Sequence, residues 1–327
     1  MFTQKDVMFL YAVSPVHMGS GTAIGSIDNP VQRERHTGHP VLAGSGLKGA
    51  LRDAWENGNG ANGRLAVDEV FGPETTSGDA HAGALAVADG EIVLFPVRSL
   101  KGAYVYATCP LAIARLQRKL SLVGKGNELP SIPVLDDTTA LVTQEANDIL
   151  VRAPAGQNQR QGQPAPQPQG NPQGEQKLVL EAFAFRAKTD PNVGALASKL
   201  ASWLPPQAQK TFKEKVAKHI VVLSDTRFAF FVKNATVVEP HVRIDDITGT
   251  ADEGGLFYTE NVPPESLFAS LIMVSKSRKG NNGPDAATIL DDIRTKFGKV
   301  APLLQVGGDA TTGRGQMLLS FVGQHAG

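Results

Sequence analysis

The sequence has one cysteine and no net charge, and both features narrow the classes of protein to which it can belong. Cys109 has no partner for an internal disulfide, which favours a reducing compartment. The 32 lysines and arginines are balanced by 32 aspartates and glutamates. Bulk positive charge therefore cannot be what attracts a nucleic acid, although a neutral total can contain a local basic face.

Long apolar runs are also missing. No stretch approaches the ~20 residues needed to cross a bilayer. The segment MFTQKDVMFLYAV has neither the apolar core nor the small-residue cleavage site of a signal peptide. We therefore expect a cytoplasmic protein. The spacings Cys-x-x-Cys and His-Glu-x-x-His are absent too, which argues against structural zinc.

The apolar pattern predicts an α+β fold with helices packed on a sheet. Residues 7–13 form a strand-like run. The clearest helix follows Ser45, its predicted N-cap, with apolar residues at helical spacing: Leu47, Ala50, Leu51, Ala54 and Trp55. GALAVADGEIVLFPV is typical of a hairpin that turns at Asp89-Gly90, and residues 219–232 read as a strand.

The later part of the chain contains a long hairpin arm at residues 238–262 and a polar tract. Residues 152–176, rich in Gln and Pro, have too few apolar side chains to offset the entropy of ordering, and we predict that they are disordered. A linker between two domains and an insertion within one domain are both compatible with this tract.

Two glycine-rich stretches invite a phosphate-binding interpretation. GSGTAIG, residues 19–25, is not followed by a helix, so the dinucleotide-binding hypothesis is rejected. GGDATTGRG, residues 307–315, lacks the Gly-Lys-Ser/Thr of a P-loop. Its glycines still expose backbone N–H groups that suit a phosphate, and a plain β-turn remains the alternative. Ser45-Gly46-Leu47-Lys48 matches Ser-x-x-Lys, but the companion Lys-Thr-Gly is missing, so an N-cap and an anion contact are favoured over acyl transfer.

The stretch IGSIDNPVQRERHTGHP places one acid, Asp28, before Arg33, Arg35 and His36 in a segment with neither helical nor strand periodicity. A lone carboxylate can hold Mg²⁺ when substrate phosphates supply the remaining ligands. His17 ends a strand-like run, where a structural role competes with a catalytic one.

Several blocks together resemble the RAMP superfamily of CRISPR proteins, and more narrowly the repeated backbone subunit of type III-B (Cmr) effector complexes. The blocks are PVHMGSGTAIGSIDNPVQRERHTGHPVLAGSGLKGALRDAW, FPVRSLKGAYVYATCPLAIARL, VRIDDITGTADEGGLFYTENVPPESLF and LLQVGGDATTGRGQ, in the family's order. The resemblance covers nearly the whole chain apart from the Gln/Pro-rich tract.

This resemblance implies a single RAMP domain over residues 1–327. Its palm is a modified ferredoxin-like, RRM-related fold with helical insertions, and the hairpin at residues 238–262 protrudes from it as a thumb. It further implies an antiviral ribonucleoprotein in which copies of the chain stack along a guide RNA with other effector subunits. Each copy then cuts the single-stranded target RNA once, with Mg²⁺ or Mn²⁺ as cofactor and no membrane partner.

The resemblance also assigns roles to residues. The family's catalytic aspartate, and metal ligand, matches Asp28, with His17 as a further catalytic candidate and Tyr258 and Glu260 as secondary ones. The expected RNA contacts are Arg33, Arg35, Ser45, Lys48, Arg52, Gly307, Gly308, Gly313, Arg314 and Gly315. Flipping a nucleotide out of the duplex would give the in-line geometry that cleavage by the 2′-hydroxyl needs.

Two other functions remain open. The first is a scaffold that binds guide RNA without cutting, and the presence of Asp28 argues against it. The second is a metal-independent RAMP endoribonuclease that processes guide RNA. Such enzymes rely on histidine or other non-carboxylate groups, and the thumb arm fits them poorly.

Overall fold

The apolar run near the start of the chain forms the centre of a broad mixed sheet. In the computed structural model, which describes residues 2–21, 25–57, 65–73, 81–152, 176–280, 282–300 and 302–325, this run is strand β1 (Gln4–Ala12). Met8, Leu10 and Ala12 pack into one core, and Val7, Phe9 and Tyr11 into another on the opposite face. Both faces of β1 are covered, so its sequence is continuously apolar rather than alternating.

The strands after β1 are β2 (Val41–Leu42), β3 (Leu85–Val87), β4 (Gly90–Arg98), β5 (Tyr104–Thr108), β6 (Thr139–Val142), β7 (Leu150–Arg152), β8 (Gln176–Leu180), β9 (Phe183–Thr189), β10 (Ile220–Val222), β11 (Val237–Ile244), β12 (Ala251–Asn261), β13 (Leu267–Val274), β14 (Leu303–Gln305) and β15 (Gln316–Phe321). The main sheet has the order β14-β15-β1-β13-β4-β5-β10-β6-β9-β8-β7, with β2 beside β4 and β3 beside β13. β11 and β12 form a separate antiparallel hairpin.

Helices cover both faces of the sheet. They are α1 (Gly44–Asn57), α2 (Val67–Phe71), α3 (Pro110–Leu122), α4 (Pro191–Trp203), α5 (Gln209–His219), α6 (Asp225–Asn234) and α7 (Ala286–Thr295). Side chains of α1, α2, α6 and α7 pack into one core, and those of α4 and α5 into the other. The α+β prediction is confirmed. No helix in the described part of the chain is long and apolar enough to span a membrane.

Helix α1 begins two residues earlier than predicted, at Gly44 instead of after Ser45. The Ala43 carbonyl accepts the first helical hydrogen bond, and the Gly44 N–H donates to Asp89 Oδ1 at 2.7 Å. Ser45 is therefore not the N-cap, because a carboxylate from a distant turn satisfies the helix terminus. Leu47, Leu51 and Trp55 form the buried stripe, as their spacing predicted.

The hairpin predicted at Asp89-Gly90 is wrong. Strands β3 and β4 do not pair with each other, because both pair antiparallel with β13 along the same edge. The Asp-Gly pair interrupts one nearly continuous strand there, so the turn signal marked an irregularity rather than a reversal.

The strand predicted at residues 219–232 is confirmed only for β10. The rest is α6, which Ser224 caps by accepting a hydrogen bond from the Arg227 N–H. Phe228, Phe231 and Val232 form its buried face. The aromatic residues suggested a strand, but the N-cap and the i, i+3, i+4 spacing were the better signals.

Strands β7 and β8 flank the Gln/Pro-rich tract and pair with each other, Arg152 opposite Gln176. The prediction of disorder over residues 152–176 is wrong for the two ends of the tract, because Arg152 and Gln176 lie in paired strands, and residues 153–175 lie outside the described residues. The two ends of the tract are neighbours at one edge of the main sheet.

Candidate functional site

Residues 15–19, directly after β1, are the meeting point of two loops. The first, residues 25–40, is called here the Asp28 loop, and the second, residues 306–315, the Gly-rich loop. The His17 carbonyl accepts a hydrogen bond from the Gly308 N–H at 2.9 Å, and the Met18 carbonyl accepts one from the Gln32 N–H at 2.8 Å. Two segments from opposite ends of the sequence are thus fixed on one strand terminus.

The Asp28 loop is attached to the base of the β11–β12 hairpin. Asp28 Oδ2 accepts a hydrogen bond from the Tyr258 N–H at 2.7 Å. Next to it, the Asn29 N–H donates to the Tyr258 carbonyl, and the Glu260 N–H donates to the Asn29 carbonyl, both at 3.0 Å. The loop is neither helix nor strand, yet its backbone pairs with β12. Asp28 Oδ1 has no partner among the described residues, and the side chain is half-buried.

His17 lies against the same strand. Its Nδ1 is 2.7 Å from the Glu260 carbonyl oxygen. A carbonyl only accepts, so Nδ1 carries the proton, and Nε2 of the neutral ring has a free lone pair. The ring packs on Gly19, where a Cβ would come within 2.7 Å of Nε2. Asp28 and His17 are therefore held by alternate residues of β12, Tyr258 and Glu260.

Glu260 is the anchor of this arrangement rather than an exposed acid. Its carboxylate, 3% exposed, accepts from the Arg33 guanidinium at 2.5 Å, from the Thr236 hydroxyl at 2.7 Å and from the Val31 N–H at 3.0 Å. Arg33 also donates to the backbone carbonyls of Gly38 and Val232. Arg33, expected to contact RNA, and Glu260, a secondary catalytic candidate, are thus engaged with each other inside the protein.

The other cations of the Asp28 loop differ in their surroundings. Arg35 is exposed and makes no hydrogen bond or ion pair within the described residues. His36 contacts the Arg115 guanidinium at 2.8 Å. Arg115 in turn binds Glu34 at 2.7 Å, which ties this end of the loop to α3. Arg35 is therefore the cation of this loop that is available to a ligand.

The start of α1 lies beside Met18. Met18 Sδ is 3.1 Å from the Ala43 nitrogen. Ser45 is exposed one turn before Lys48, which is half-buried and has no acidic partner in the described ranges. Burial, and then the nearby positive charge of Arg52, lower the pKa of Lys48. A cation held in this way favours an incoming anion.

Arg52 is less available than Lys48. It donates to Glu56 Oε1 at 2.8 Å, one turn further along α1, and to the Gly72 carbonyl at 2.9 Å. Of the two basic residues predicted on this helix face, Lys48 is thus the one left without a counter-charge.

The Gly-rich loop connects β14 to β15. Gly307, at φ +80°, packs so closely on His17 that a Cβ would lie 2.2 Å from the His17 carbonyl oxygen. Gly308 donates to the same carbonyl, and Gly313 turns the chain at φ +79° with open space around it. Gly315, at φ +78°, donates to the Pro15 carbonyl. These glycines allow the loop to approach residues 15–19 closely, and this structural role does not depend on a bound ligand.

Arg314 in this loop forms an ion pair with Glu239 on β11, at 2.6 Å. Asn261 Nδ2 donates to the same Glu239 oxygen at 3.2 Å. Tyr258, the remaining candidate, is 37% exposed and stands opposite Pro240 in the hairpin.

A divalent metal would find one protein ligand here. No group of three or more His, Cys, Asp or Glu residues able to hold a metal occurs among the described residues. The free Oδ1 of Asp28 is nevertheless sufficient for Mg²⁺ or Mn²⁺ if phosphate oxygens and water complete the shell, as is usual for Mg²⁺.

Sequence reasoning missed the residues that hold the site together. The Tyr258 N–H, the Asn29 backbone and Glu239 gave no motif, because their roles arise from contacts with distant parts of the sequence, 230 residues away for Tyr258 and 75 for Glu239. The one available signal was the polar run at the end of the hairpin arm, Tyr258-Thr259-Glu260-Asn261.

Comparisons with known proteins identify the family of the chain. Residues 9–318 match the model of the RAMP superfamily. Over 306 residues, 94% of this chain and 92% of the other, the sequence is 35% identical to the CRISPR system Cmr endoribonuclease Cmr4 of Pyrococcus furiosus. It is 24% identical to the CRISPR system CMR subunit Cmr4 of Saccharolobus solfataricus, over 98% of this chain and 97% of that one.

The fold is also that of solved relatives. The crystal structure of oligomeric Cmr4 from Pyrococcus furiosus superposes with a TM-score of 0.65 and 27% identity, covering 97% of each chain. The predicted RAMP-type fold is therefore confirmed together with the predicted resemblance. This chain belongs to the RAMP superfamily and, within it, to the family of the Cmr4 proteins of CRISPR systems.

Proposed function

We propose that this chain is the backbone subunit of a type III-B CRISPR effector complex, and that it is a metal-dependent endoribonuclease within that complex. Copies of the chain polymerise along a guide RNA beside other effector subunits. Each copy cleaves a complementary target RNA once, so that the cuts fall at regular intervals. The relative in Pyrococcus furiosus, 35% identical, is named an endoribonuclease, which supports the proposal.

The observation that carries the proposal is the common attachment of Asp28 and His17 to the hairpin base. Asp28 Oδ2 is held by the Tyr258 N–H, and His17 Nδ1 by the Glu260 carbonyl. These bonds leave Asp28 Oδ1 and His17 Nε2 available, one as a metal or proton acceptor and one as a base. Two reactive atoms placed by residues only two positions apart on one strand are typical of a site that acts on a single bond.

RNA can be cleaved by its own 2′-hydroxyl, provided that this oxygen lies in line with the leaving 5′-oxygen. A stacked A-form duplex prevents that alignment. The β11–β12 hairpin projects from the site, and its exposed apolar side chains, among them Val242, Ile244 and Leu256, suit unstacked bases. We assign to this hairpin the wedge that displaces one target nucleotide beside Asp28.

In this scheme His17 Nε2 removes the proton of the 2′-hydroxyl. The 2′-oxygen then attacks phosphorus, the bond to the 5′-oxygen breaks, and a solvent proton neutralises the leaving oxygen. The Nδ1–H bond to Glu260 keeps the ring in the tautomer that this step needs. Asp28 Oδ1 would hold Mg²⁺ or Mn²⁺, whose charge would offset that of the phosphodiester when the ion is bound.

Guide-RNA contacts in this proposal are to phosphates, because a backbone that follows any spacer cannot depend on base identity. Lys48, exposed Ser45 and the Gly-rich loop lie around residues 15–19, and Arg35 lies on the neighbouring loop. Arg33 and Arg52 are left out of this set because both are engaged within the protein.

The test is target cleavage by the complex assembled with guide RNA. Asp28→Asn keeps an acceptor for the Tyr258 N–H but removes the charge. We expect the regular ladder of products to be lost, at least about 10²-fold in rate, with target binding unchanged. Asp53→Asn, on the exposed side of α1, is the matched control. EDTA should abolish the wild-type ladder.

Each other outcome points to a different function. An unchanged ladder in Asp28→Asn would move the chemistry to another residue or subunit and leave this chain as a scaffold. Loss in the mutant without any effect of EDTA would make Asp28 a proton acceptor. Cleavage of the guide precursor instead of the target would identify a processing enzyme.

A further inference from the structure

The Gly-rich loop and the hairpin are joined by one ion pair that the proposed cleavage chemistry does not use. Arg314 comes from the loop, and Glu239 comes from β11 at the base of the hairpin, with 2.6 Å between Nη2 and Oε2. Both side chains are about one-quarter exposed, at 23% and 27%, so the pair lies at the surface beside the candidate site.

The backbone around Arg314 is fixed independently of this ion pair. The Arg314 N–H donates to the Asp309 carbonyl, and its carbonyl accepts from Gln305 Nε2 at 2.8 Å. The Gly315 N–H on its other side donates to the Pro15 carbonyl. The guanidinium can therefore exchange one anion for another without unfolding of the loop.

Glu239 is held less firmly. Its β11 neighbours are paired with β12, but its carboxylate contacts only Arg314 and Asn261 among the described residues. Asn261 is 1% exposed, and its Oδ1 has no hydrogen-bond partner in the described part of the chain. The Asn261 side chain beside Glu239 thus makes fewer hydrogen bonds in the free protein than it could, which is unusual for a buried polar group.

We propose that Glu239 occupies, in the free protein, the place on Arg314 that a phosphodiester of the bound RNA takes. The carboxylate is a competing anion: RNA must displace it, and the displacement releases the Gly-rich loop from the hairpin base. The inference rests on the proposed function, since it takes RNA as the ligand, and it adds a residue that sets RNA affinity and links phosphate binding to the hairpin.

Direct exchange explains why a loop arginine faces an acid on the hairpin. Guanidinium binds carboxylate and phosphate through the same planar donor pattern, so one anion can replace the other. A partly exposed pair of this kind contributes little to stability, so exchange is not costly. A chain that assembles on RNA gains selectivity, because only a strand whose phosphate reaches Arg314 displaces Glu239.

The test compares RNA binding by Glu239→Gln with that by Glu181→Gln. Glutamine keeps an acceptor for Asn261 Nδ2 and removes only the charge. Glu181 pairs with Arg98 at 3.1 Å on a distant edge of the sheet, so its variant makes the same change in net charge. Binding of the purified full chain to a mixed-sequence single-stranded RNA is followed by fluorescence anisotropy over a series of NaCl concentrations.

We expect Glu239→Gln to bind about two- to fivefold more tightly at low salt, the range for an exposed ion pair. Its advantage should shrink as the NaCl concentration rises, which makes its salt dependence steeper, because salt screens the ion pair with which RNA competes in the wild type. Glu181→Gln should match the wild type. Arg314→Gln should bind more weakly, and adding Glu239→Gln to it should change nothing further.

Equal gains in Glu239→Gln and Glu181→Gln would reduce the effect to net charge and overturn the proposal. So would a Glu239→Gln variant with wild-type affinity and slope, or a gain that persists without Arg314. In each of these cases the wild type binds RNA, and the proposed function stands. Failure of the wild type to bind RNA would refute the proposed function together with this inference.

Discussion

The buried ion pair between Arg33 and Glu260 gives the sharpest prediction about how the site is held. Removing one partner of a buried pair leaves the other charge uncompensated, which costs about 3–5 kcal/mol. The Glu260 side chain is 3% exposed, whereas Arg33 is 20% exposed and keeps two backbone acceptors. The cost of Glu260→Gln should therefore lie at the lower end of this range, and we expect a loss of about 3 kcal/mol in the free energy of unfolding.

Arg33→Met should cost more, because it leaves the carboxylate of Glu260 almost fully buried without its cation. The double variant should be less destabilised than the sum of the single ones by about 2 kcal/mol, since neither charge is then left alone. Urea unfolding followed by far-UV circular dichroism measures all three variants. Glu181→Gln, which breaks the exposed pair with Arg98, should stay within about 0.5 kcal/mol of the wild type.

Additive single variants that each cost less than about 1 kcal/mol would refute this reasoning, because such values are typical of exposed pairs. They would mean that the Asp28 loop is held by its backbone pairing to β12 alone. If the pair positions the loop, Glu260→Gln should also slow target cleavage with target binding unchanged, even where the variant remains fully folded.

Three further predictions concern other parts of the structure. Lys48→Gln should reduce the salt dependence of RNA binding by about 0.7 in log–log slope, measured by anisotropy titrations at several salt concentrations. The control variant Lys233→Gln, on α6, should keep the slope of the wild type. A Cβ at Gly315 would lie 2.1 Å from a backbone oxygen, so Gly315→Ala should destabilise the protein by about 3 kcal/mol. Gly313 has a similar φ but open space around it, so Gly313→Ala should cost only about 1–2 kcal/mol. Thermal unfolding measures both variants. Burial raises the pKa of Glu265 from 4.5 to about 7, so its ionised form is disfavoured in the folded state and stability falls as pH rises between these values. Because the side chain is partly exposed, Glu265→Gln should gain only about 1 kcal/mol at about pH 8 and almost nothing at about pH 5, measured by urea unfolding.

Local patterns in the sequence predicted the elements whose signals are local. Strand β1, helix α1 and the arm of β11 and β12 follow from apolar periodicity and turn residues, which act over a few positions. The cap of α1 could not be predicted in the same way, since it comes from Asp89. The Asp89-Gly90 turn signal failed because the neighbour of each strand, β13, lies far away in the sequence.

In the candidate site, too, local sequence signals could be predicted and long-range contacts could not. Asp28 stands out as a lone acid among cations, and the family resemblance gives it a role. Nothing in the sequence indicates that Arg33 would turn inward to Glu260 or that Arg314 would meet Glu239, because the members of these pairs are 227 and 75 residues apart. The positive charge of a side chain predicted that it could bind an anion. Only the tertiary contacts show which of these side chains are already paired with a carboxylate of the protein.

The position of β1 in the sheet has a consequence for synthesis. Its two neighbours are β13 and β15, with Met8 opposite both Ser270 and Phe321. During synthesis β1 is therefore made long before either of its partner strands, and such non-local pairing is slow and leaves apolar edges exposed meanwhile. His17 meets Gly308 only after this step, so a nascent or truncated chain contains Asp28 but not the site.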